Sequence, residues 1–494
     1  MHLSIPLWLP LAAAVVGLFV PGLSRWTMVA GAAATLVLAV ILLVKFDNGA
    51  GLQFVTDETW IAELGIHYKL GVDGLNIFLI LLAAVLFLAS AVWAAMSDWE
   101  RPGLFFFWFG LAESGVLGAL MAQDLALFVI FFDLMLVPFL FLTGAWGGPN
   151  RVPAILKLFI YTLVGSLLML AAAIATGVLA PGGGTTFVLS ELAQRRLPEA
   201  SQDWIFLFFA AAFLVKMPAF PLHGWMPDGY RAMPLPVLAV FSGILSKVAA
   251  YGFLRVVLPL FPDASVQFQD LMLVISLASI LYGSAMAFTT TNTRLILGYS
   301  SVAQLGFIVL GIFSLQPEGA QGALIQAVNH GLVVAPAFFI VGLLAARAGG
   351  SEDLRDMGGM AFRAPVLTAL FLIVTLGILA MPGSSNFVGE FLILFGVFKA
   401  KIVIAIVASA GVVMAAVYAL RMFIRAMHNR VGTNVTPREI TVRDGIVLVP
   451  LVAAIIAFAL YPQLALKKSE RSTASSIAAA QQAQGGPQQA EVTP

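Results

Sequence analysis

Uninterrupted apolar runs of about 20 residues recur along almost the whole chain, and this feature limits the possible folds more than any other. A helix of that length crosses a hydrocarbon layer roughly 30 Å thick. The 494 residues are 61% hydrophobic and only 10% charged, whereas a soluble domain has about 25% charged residues. Too few polar residues exist to form a water-facing shell. The sequence therefore predicts an all-α polytopic membrane protein.

Cysteine is absent, and the net charge is only +1. The first fact excludes thiolate-ligated iron–sulfur clusters, thiol catalysis and disulfide frameworks. The near-neutral charge gives no indication of a nucleic-acid partner. The N-terminal apolar run lacks a basic region before it and is followed by further spans, so we interpret it as the first transmembrane helix and not as a cleaved signal.

About fourteen transmembrane helices are predicted from the apolar runs. Their approximate bounds are 5–22, 27–45, 74–96, 104–122, 125–145, 154–179, 204–229, 236–258, 270–289, 295–315, 321–346, 365–400, 402–427 and 445–465. The polar, low-complexity tail over 467–494 is predicted to be disordered. An even number of spans puts both termini on one side. Lys and Arg are more frequent on the other side, which predicts a periplasmic location for both termini.

Two of these spans, the seventh and the twelfth, are interrupted by similar stretches. "KMPAFPLHGW" occupies 216–225 and "AMPGSSNFVGEF" occupies 380–391. Each has Met-Pro at the break and one ionisable side chain, Lys216 in the first and Glu390 in the second. The breaks are five spans apart, and an odd number of spans inverts the second unit relative to the first. Paired broken helices in inverted repeats indicate an ion pathway near the bilayer midplane, although prolines that merely kink both helices are the simpler alternative.

Several ionisable side chains lie within predicted spans. Burying an ionised side chain at the centre of a membrane helix costs about 2.5–3.5 kcal/mol, so each of them requires an explanation. The candidates for a proton relay are Glu113, Asp133, Lys216, His223, Lys247, His330 and Glu390. Desolvation weakens the hold of a lysine on its proton and a nearby carboxylate strengthens it, so alternating lysines and acids can pass protons along a row. Arg255 and Lys399, near span ends, are interpreted instead as ion-paired or snorkelling side chains.

His223 and His330 could in principle ligate a haem iron, but two lone histidines make this the weaker alternative. No metal cage, catalytic triad or phosphate-binding loop is apparent in the sequence. The sequence therefore predicts no cofactor in this chain.

Six stretches together resemble the antiporter-like membrane subunits of bacterial proton-pumping NADH–quinone oxidoreductase, respiratory complex I. They are "LGVDGLNIFLILL" at 70–82, "LAESGVLGALMAQDLALFVIFFDLMLVPFLFLTGAWGG" at 111–148, "VKMPAFPLHGWMPD" at 215–228, "GILSKVAAYGFLR" at 243–255, "TNTRLILGYSSVAQLGF" at 291–307 and "MPGSSNFVGEFLILFG" at 381–396. The resemblance covers nearly the whole chain except the tail. A glutamate at position 390 is similar to the subunit M group, because related subunits usually have lysine there.

The resemblance implies an organisation and a set of roles. It implies N-terminal helices over 1–103, inverted five-helix repeats over 104–258 and 270–427, and a last transmembrane region over 428–466. Lys216 corresponds to the broken-helix lysine, Lys247 to the relay lysine of span 8, His330 to a relay histidine of span 11 and Glu390 to the exit-side acid of span 12. Protons would move through this row, driven by quinone reduction elsewhere in the complex. The implied setting is the bacterial plasma membrane, between the antiporter-like subunits L and N.

Three positions depart from the family pattern. The acid of span 5 is normally glutamate, and here it is Asp133, one methylene shorter, so its contact with Lys216 is expected to be weaker or to need a bridging water. Tyr230 occupies a position where histidine is expected, and Gln304 one where some members have histidine. These departures concern the exact proton path and leave the assignment intact.

Three other functions remain open at this stage. The chain could be a subunit of a multisubunit Na⁺/H⁺ antiporter, since those subunits share the same motifs. It could belong to a membrane-bound hydrogenase or formate hydrogenlyase complex. It could also be a non-conducting scaffold, which the retained lysines and Glu390 disfavour.

Overall fold

The computed structural model describes residues 2–49 and 51–485. Their architecture is a bundle of apolar helices with one small β-hairpin. The first part comprises α1 (Ser4–Phe19), α2 (Ser24–Lys45), β1 (Gln53–Ile61), β2 (Ile66–Val72), α3 (Ile77–Ala95), α4 (Pro102–Met121), α5 (Leu125–Leu134), α6 (Val137–Trp146), α7 (Arg151–Leu179), α8 (Leu189–Leu192), α9 (Glu199–Lys216) and α10 (Met226–Ala232).

The second part continues the bundle. It comprises α11 (Leu235–Val240), α12 (Ser246–Gly252), α13 (Leu258–Leu260), α14 (Pro262–Gln267), α15 (Gln269–Thr289), α16 (Thr293–Ile312), α17 (Pro317–Arg347), α18 (Pro365–Ile378), α19 (Ser385–Ala400), α20 (Ile402–Met427), α21 (Val442–Leu460) and α22 (Gln463–Ala483). Among the described residues, 11 helices or joined helices are long and apolar enough to cross a membrane. The prediction of a polytopic, mostly helical membrane protein is confirmed.

Helices are interrupted at both predicted breaks. After α9 ends at Lys216, nine residues intervene before α10 begins at Met226. After α18 ends at Ile378, the chain turns through Met381 and Pro382 before α19 begins at Ser385. Proline cannot donate a backbone hydrogen bond, and its ring clashes with the preceding turn, so Met-Pro at each place is a local cause of the interruption.

A third span, over residues 125–146, is also interrupted, which the sequence reading missed. Helix α5 ends at Leu134 and α6 begins at Val137. Pro138 follows this turn, and it cannot supply the amide hydrogen that would continue α5 into α6. The two halves nevertheless remain one apolar unit across the membrane.

The helix that carries Lys247 contains two π-helical segments, Phe241–Leu245 and Phe253–Val257, on either side of α12. Such bulges leave backbone carbonyls without their usual partner four residues on, and they are frequent at functional sites. Gly243, which lies within the first segment, packs closely on Gly331 of α17. The absence of side chains at both glycines brings the two backbones together beside Lys247 and His330.

We expect Gly331→Val to destabilise the bundle by about 1–3 kcal/mol, because a Cβ at this position would press on the carbonyl oxygen of Gly243 and on Leu82. Thermal unfolding of the purified protein in detergent would show a lowered midpoint. The matched control is Gly183→Val, in a loop where a Cβ meets nothing within 4 Å. Equal unfolding midpoints for the two variants would contradict this expectation.

The prediction of a disordered tail is wrong for most of its length. Helix α22 covers Gln463–Ala483, and residues 486–494 lie outside the described residues. The helix buries one face of mostly small residues, Ala465, Ser469, Thr473, Ser476, Ile477 and Ala480. Low hydrophobicity hid this face from a search for large apolar residues at helical spacing.

Backbone and side-chain hydrogen bonds fix α22 across the bundle. Ser472 Oγ accepts from the Gly74 amide at 3.0 Å, and Lys468 Nζ donates to the Phe46 carbonyl at 2.9 Å. In the second half of the chain, Gln321 Nε2 donates to the Leu466 carbonyl at 2.9 Å, and Gln481 Nε2 donates to the Leu315 carbonyl at 3.0 Å. One helix therefore joins residues from the first and the second half of the chain.

The hairpin is a second correction, because an all-α fold was predicted. Strands β1 and β2 pair antiparallel, and Gly65 in the left-handed conformation (φ 65°) allows the tight turn between them. Strand β1 contains four consecutive polar residues, Thr56, Asp57, Glu58 and Thr59. These polar residues lack the length and apolarity of a span, so the pattern of apolar runs does not predict the hairpin.

Candidate functional site

Lys216 closes α9, immediately before the first break, and is almost fully buried. Its ammonium donates to the backbone carbonyl of Phe132 at 2.5 Å and lies 3.7 Å from the centre of the Phe132 ring. A carbonyl dipole and an aromatic face both attract a cation. Together they hold the ammonium in a place from which water is largely excluded.

The carbonyl of Phe132 is available because of the interruption between α5 and α6. In a regular helix the Leu136 amide would donate to Phe132, four residues back. Here the Leu136 amide donates instead to the Asp133 carbonyl at 3.1 Å. The turn before Pro138 therefore frees the acceptor that Lys216 uses.

Asp133, whose contact with Lys216 was expected to be weaker or water-bridged, has its direct hydrogen bond elsewhere. Its Oδ1 accepts a hydrogen bond of 2.5 Å from Ser166 Oγ of α7, a length typical of a charge-assisted O–H···O⁻ bond. Within the described part of the chain, Lys216 has no carboxylate in ion-pairing contact, although the Asp133 charge still attracts it electrostatically. The short aspartate side chain and the competing serine account for the open pair.

Glu113, on α4, is completely buried, and neither carboxylate oxygen has a hydrogen-bond partner among the residues that the structure describes. Two residues further on, Gly115 packs against the backbone of Met135, in the turn between α5 and α6. Glu113 thus lies on the helix that packs against the interrupted span of Asp133. An uncompensated buried carboxyl is costly, so it requires a proton, a water or a moving partner.

Lys247 is completely buried in α12, and its Nζ donates to the Ser242 carbonyl at 2.6 Å. That carbonyl belongs to the π-helical segment before α12. Lys216 and Lys247 therefore have the same arrangement: the buried ammonium of each donates to a backbone carbonyl in an irregular stretch of helix. Neither lysine has an ion-pair partner within residues 2–49 and 51–485.

His330 lies on α17, beside Gly331, which packs on Gly243 of the helix that carries Lys247. Its Nδ1 is buried and has no partner in the described part of the chain. Other polar atoms of α17 and α19 are in the same condition, namely Gln326 Oε1, Asn329 Oδ1, Ser385 Oγ, both amide atoms of Asn386 and Glu390 Oε2. Buried polar atoms in proteins normally have hydrogen-bond partners, so these atoms of α17 and α19 form an unusually polar cluster inside the bundle.

Glu390 is held by two glutamines on different helices. Its Oε1 accepts from Gln304 Nε2 of α16 at 2.7 Å and from Gln326 Nε2 of α17 at 3.4 Å, and Gln326 also donates to Gln304 Oε1 at 2.7 Å. The other oxygen, Oε2, has none of these bonds. Hydrogen bonds therefore fix one oxygen in place, and the other has no partner among the described residues.

We expect Gln304→Leu to lower the rate of proton uptake about tenfold. The hydrogen bond from Gln304 orients Glu390, and a hydrogen bond to a charged group contributes about 1.5–3 kcal/mol. Gln304→His retains a donor and should keep most of the rate. Both variants are compared by substrate-driven proton uptake in vesicles. Equal losses in the leucine and histidine variants would contradict an orienting role.

His223 lies in the first break, in an aromatic pocket. Its ring centre is 4.7 Å from that of Tyr282 and 5.7 Å from that of Phe220, and its Nδ1 has no partner among the described residues. Tyr230, at the position where histidine was expected, is buried and packs edge-on against Phe241 and Phe338. The tyrosine therefore fills an apolar contact between helices.

The two cations near span ends are ion-paired, as predicted. Arg255 pairs with Asp73 at the start of α3, and it also donates to Tyr251 Oη at 3.0 Å. Lys399 pairs with Glu318. Neither pair includes Lys216 or Lys247.

Sequence reasoning missed several contributors to the site. Gln326 was detectable, since it lies one helical turn before His330 on α17. The carbonyls of Phe132 and Ser242 could not be identified from residue type, because every residue has a backbone carbonyl. Ser166 gave no signal because serine is common in membrane helices. No group of three or more His, Asp or Glu side chains in the described residues could hold a metal ion.

Comparisons with known proteins concern the family and the fold of the chain. A family model described as "NADH:quinone oxidoreductase/Mrp antiporter, TM" matches residues 122–416. NADH-quinone oxidoreductase subunit M of Rhodobacter capsulatus is 34% identical over 486 residues, covering 94% of this chain and 93% of the relative. Subunit M of Escherichia coli K12 is 35% identical over 472 residues, covering 90% of this chain and 91% of the relative.

Two solved structures resemble the fold. A chain of respiratory complex I from Thermus thermophilus with bound NADH superposes with a TM-score of 0.90 at 30% identity, covering 97% of this chain and 100% of that chain. A chain of the Mrp complex from Dietzia superposes with a TM-score of 0.84 at 21% identity, covering 98% and 99%. The second likeness concerns the fold alone.

Proposed function

This chain belongs to the family of NADH-quinone oxidoreductase subunit M, and from that membership we propose that it is a proton-translocating membrane-arm subunit of respiratory complex I. It contributes no redox centre. Redox energy from quinone reduction elsewhere in the complex moves protons through the buried row of ionisable side chains.

The row begins on the side of the first break and ends at the second. Asp133 and Glu113 tune the charge of Lys216, which passes its proton toward Lys247. From Lys247 the path continues through His330 and the unpartnered amides of α17 and α19 to Glu390. His223 lies beside the first break as a further relay candidate.

A single observation carries this proposal: the buried lysines have backbone carbonyls as partners instead of carboxylates. A permanent ion pair with a carboxylate stabilises the protonated form of a lysine and so opposes proton release. A lysine held only by a neutral carbonyl dipole lacks this stabilisation, so its proton affinity changes more when a charge moves nearby. The unpartnered polar atoms around Glu390 and His330 support this path, because proton transfer needs polar groups along it.

We also retain the finer organisation as a proposal. It consists of fourteen spans, with inverted repeats over 104–258 and 270–427, between N-terminal helices over 1–103 and a last transmembrane region over 428–466. The matching Met-Pro breaks support it. Subunits L and N would flank the chain in the bacterial plasma membrane, and both termini would be periplasmic. Apolar side chains exposed along α7 and α20 provide surfaces for such neighbours or for lipid.

Affinity purification through this chain, followed by identification of the copurified subunits, tests the assignment directly. We expect the other complex I subunits, NADH-dependent quinone reduction and proton uptake in reconstituted vesicles. Copurification with subunits of a Na⁺/H⁺ antiporter or of a hydrogenase, without NADH oxidation, would contradict it.

A further inference from the structure

We propose that Ser166 is the positioning residue that sets whether Asp133 pairs with Lys216, and that it does so because the acid here is an aspartate. The inference rests on the proposed function, since it concerns how the first buried lysine is switched. Nothing in the sequence motifs assigns a role to Ser166.

The first step is the competition for the carboxylate. Asp133 Oδ1 accepts a 2.5 Å hydrogen bond from Ser166 Oγ, on a different helix. The hydrogen bonds of Thr162 and Thr176, also on α7, go instead to carbonyls of their own helix. Ser166 therefore differs from these hydroxyl residues of α7 in using its hydrogen bond to reach across to another span.

The second step is the position of the lysine. Lys216 rests on the Phe132 carbonyl, one residue before Asp133. The carbonyl that the ammonium contacts and the Asp133 carboxylate thus belong to adjacent residues of α5. A rotation about the Asp133 side chain is the movement that we infer exchanges Ser166 for Lys216 as its partner. With Ser166 as partner the pair is open, and with Lys216 as partner it is closed.

The third step concerns side-chain length. A glutamate has one more rotatable bond and reaches about one methylene farther, so it can contact a lysine without help from the neighbouring helix. An aspartate on α5 reaches less far and depends more on what holds it. The hydroxyl of Ser166 holds the Asp133 carboxylate in one defined position away from Lys216. Asp133 then has two distinct conformations, one bonded to Ser166 and one to Lys216, instead of a broad distribution.

The test is a double-mutant comparison in the assembled complex, read as NADH-driven proton uptake and quinone reduction. Ser166→Ala should lower both by roughly threefold to tenfold in the Asp133 background, because it removes a charge-assisted hydrogen bond. Ser166→Thr retains the hydroxyl and should restore most of the rate. In the Asp133→Glu background, Ser166→Ala should have little effect.

A purely structural role for Ser166 predicts a different pattern. The alanine variant would then lose the same fraction of activity with aspartate or with glutamate at position 133, and that result would overturn the inference. Unchanged activity in the single Ser166→Ala variant would overturn it as well. Thr176→Val is the matched control, because it deletes a hydroxyl of α7 that bonds only to its own helix.

Failure of the proposed function would look different. A wild-type complex that oxidises NADH without proton uptake would remove the premise, whatever the serine does. A wild-type complex that pumps, combined with a silent Ser166→Ala variant, would reject only the role of Ser166.

Discussion

Glu390→Gln should abolish most proton translocation and lower the coupled quinone reductase rate by about tenfold or more, because it removes a proton-carrying group while preserving its shape. The glutamine side chain still offers an oxygen to Gln304 Nε2, so the hydrogen bond that orients position 390 survives. Proton uptake per NADH, measured in vesicles with the assembled complex, separates lost transfer from lost assembly.

Glu318→Gln is the matched control for this variant. Glu318 lies on α17, and its ion-pair partner, Lys399, is on the same helix as Glu390. Partly exposed ion pairs contribute only about 0–1 kcal/mol, so near-normal pumping is expected. If an assembled Glu390→Gln complex kept the normal proton-to-electron ratio, position 390 would not be on the proton path.

The second large effect is expected at Lys216, where two substitutions separate charge from proton release. Lys216→Arg keeps a cation near the Phe132 carbonyl, but arginine does not release its proton in proteins. Lys216→Met removes the charge and keeps an unbranched side chain of similar length. Both should reduce proton uptake and coupled quinone reduction by about tenfold or more.

The comparison of the two variants is the informative part. Loss in both identifies a proton carrier, whereas activity in the arginine variant alone would show that only a fixed charge is needed. Lys157→Arg provides the control, because Lys157 is partly exposed and pairs with Asp228. Normal pumping by Lys216→Arg would exclude proton transfer through this residue.

The sequence was sufficient for the features that depend on residue type. Long apolar runs predicted the spans, and Met-Pro beside a charge predicted both helix interruptions, because proline acts locally on the backbone. The burial of Lys247 and Glu390 also followed from their apolar flanks. Each of these inferences requires only the neighbouring residues.

Features that depend on contacts between helices were out of reach. The Asp133–Lys216 pair was expected from the family pattern, yet the partner of Asp133 is Ser166, 33 residues away in sequence. The π-helical segment before Lys247 contains Gly243, which packs on Gly331 of another helix, and no local sequence pattern indicates that contact. The C-terminal helix was missed because its buried face consists mainly of alanine, serine and threonine, which carry little hydrophobic signal.

The position of α22 has a consequence for biosynthesis. Its hydrogen-bond partners include Phe46 and Gly74, which lie 422 and 398 residues before Lys468 and Ser472 of α22 and therefore leave the ribosome earlier. Docking of this helix must therefore be a late step of folding, after the spans between have been inserted. A chain terminated early, even one with every transmembrane helix in place, lacks the segment that joins its two halves, and we expect cellular quality control to remove it.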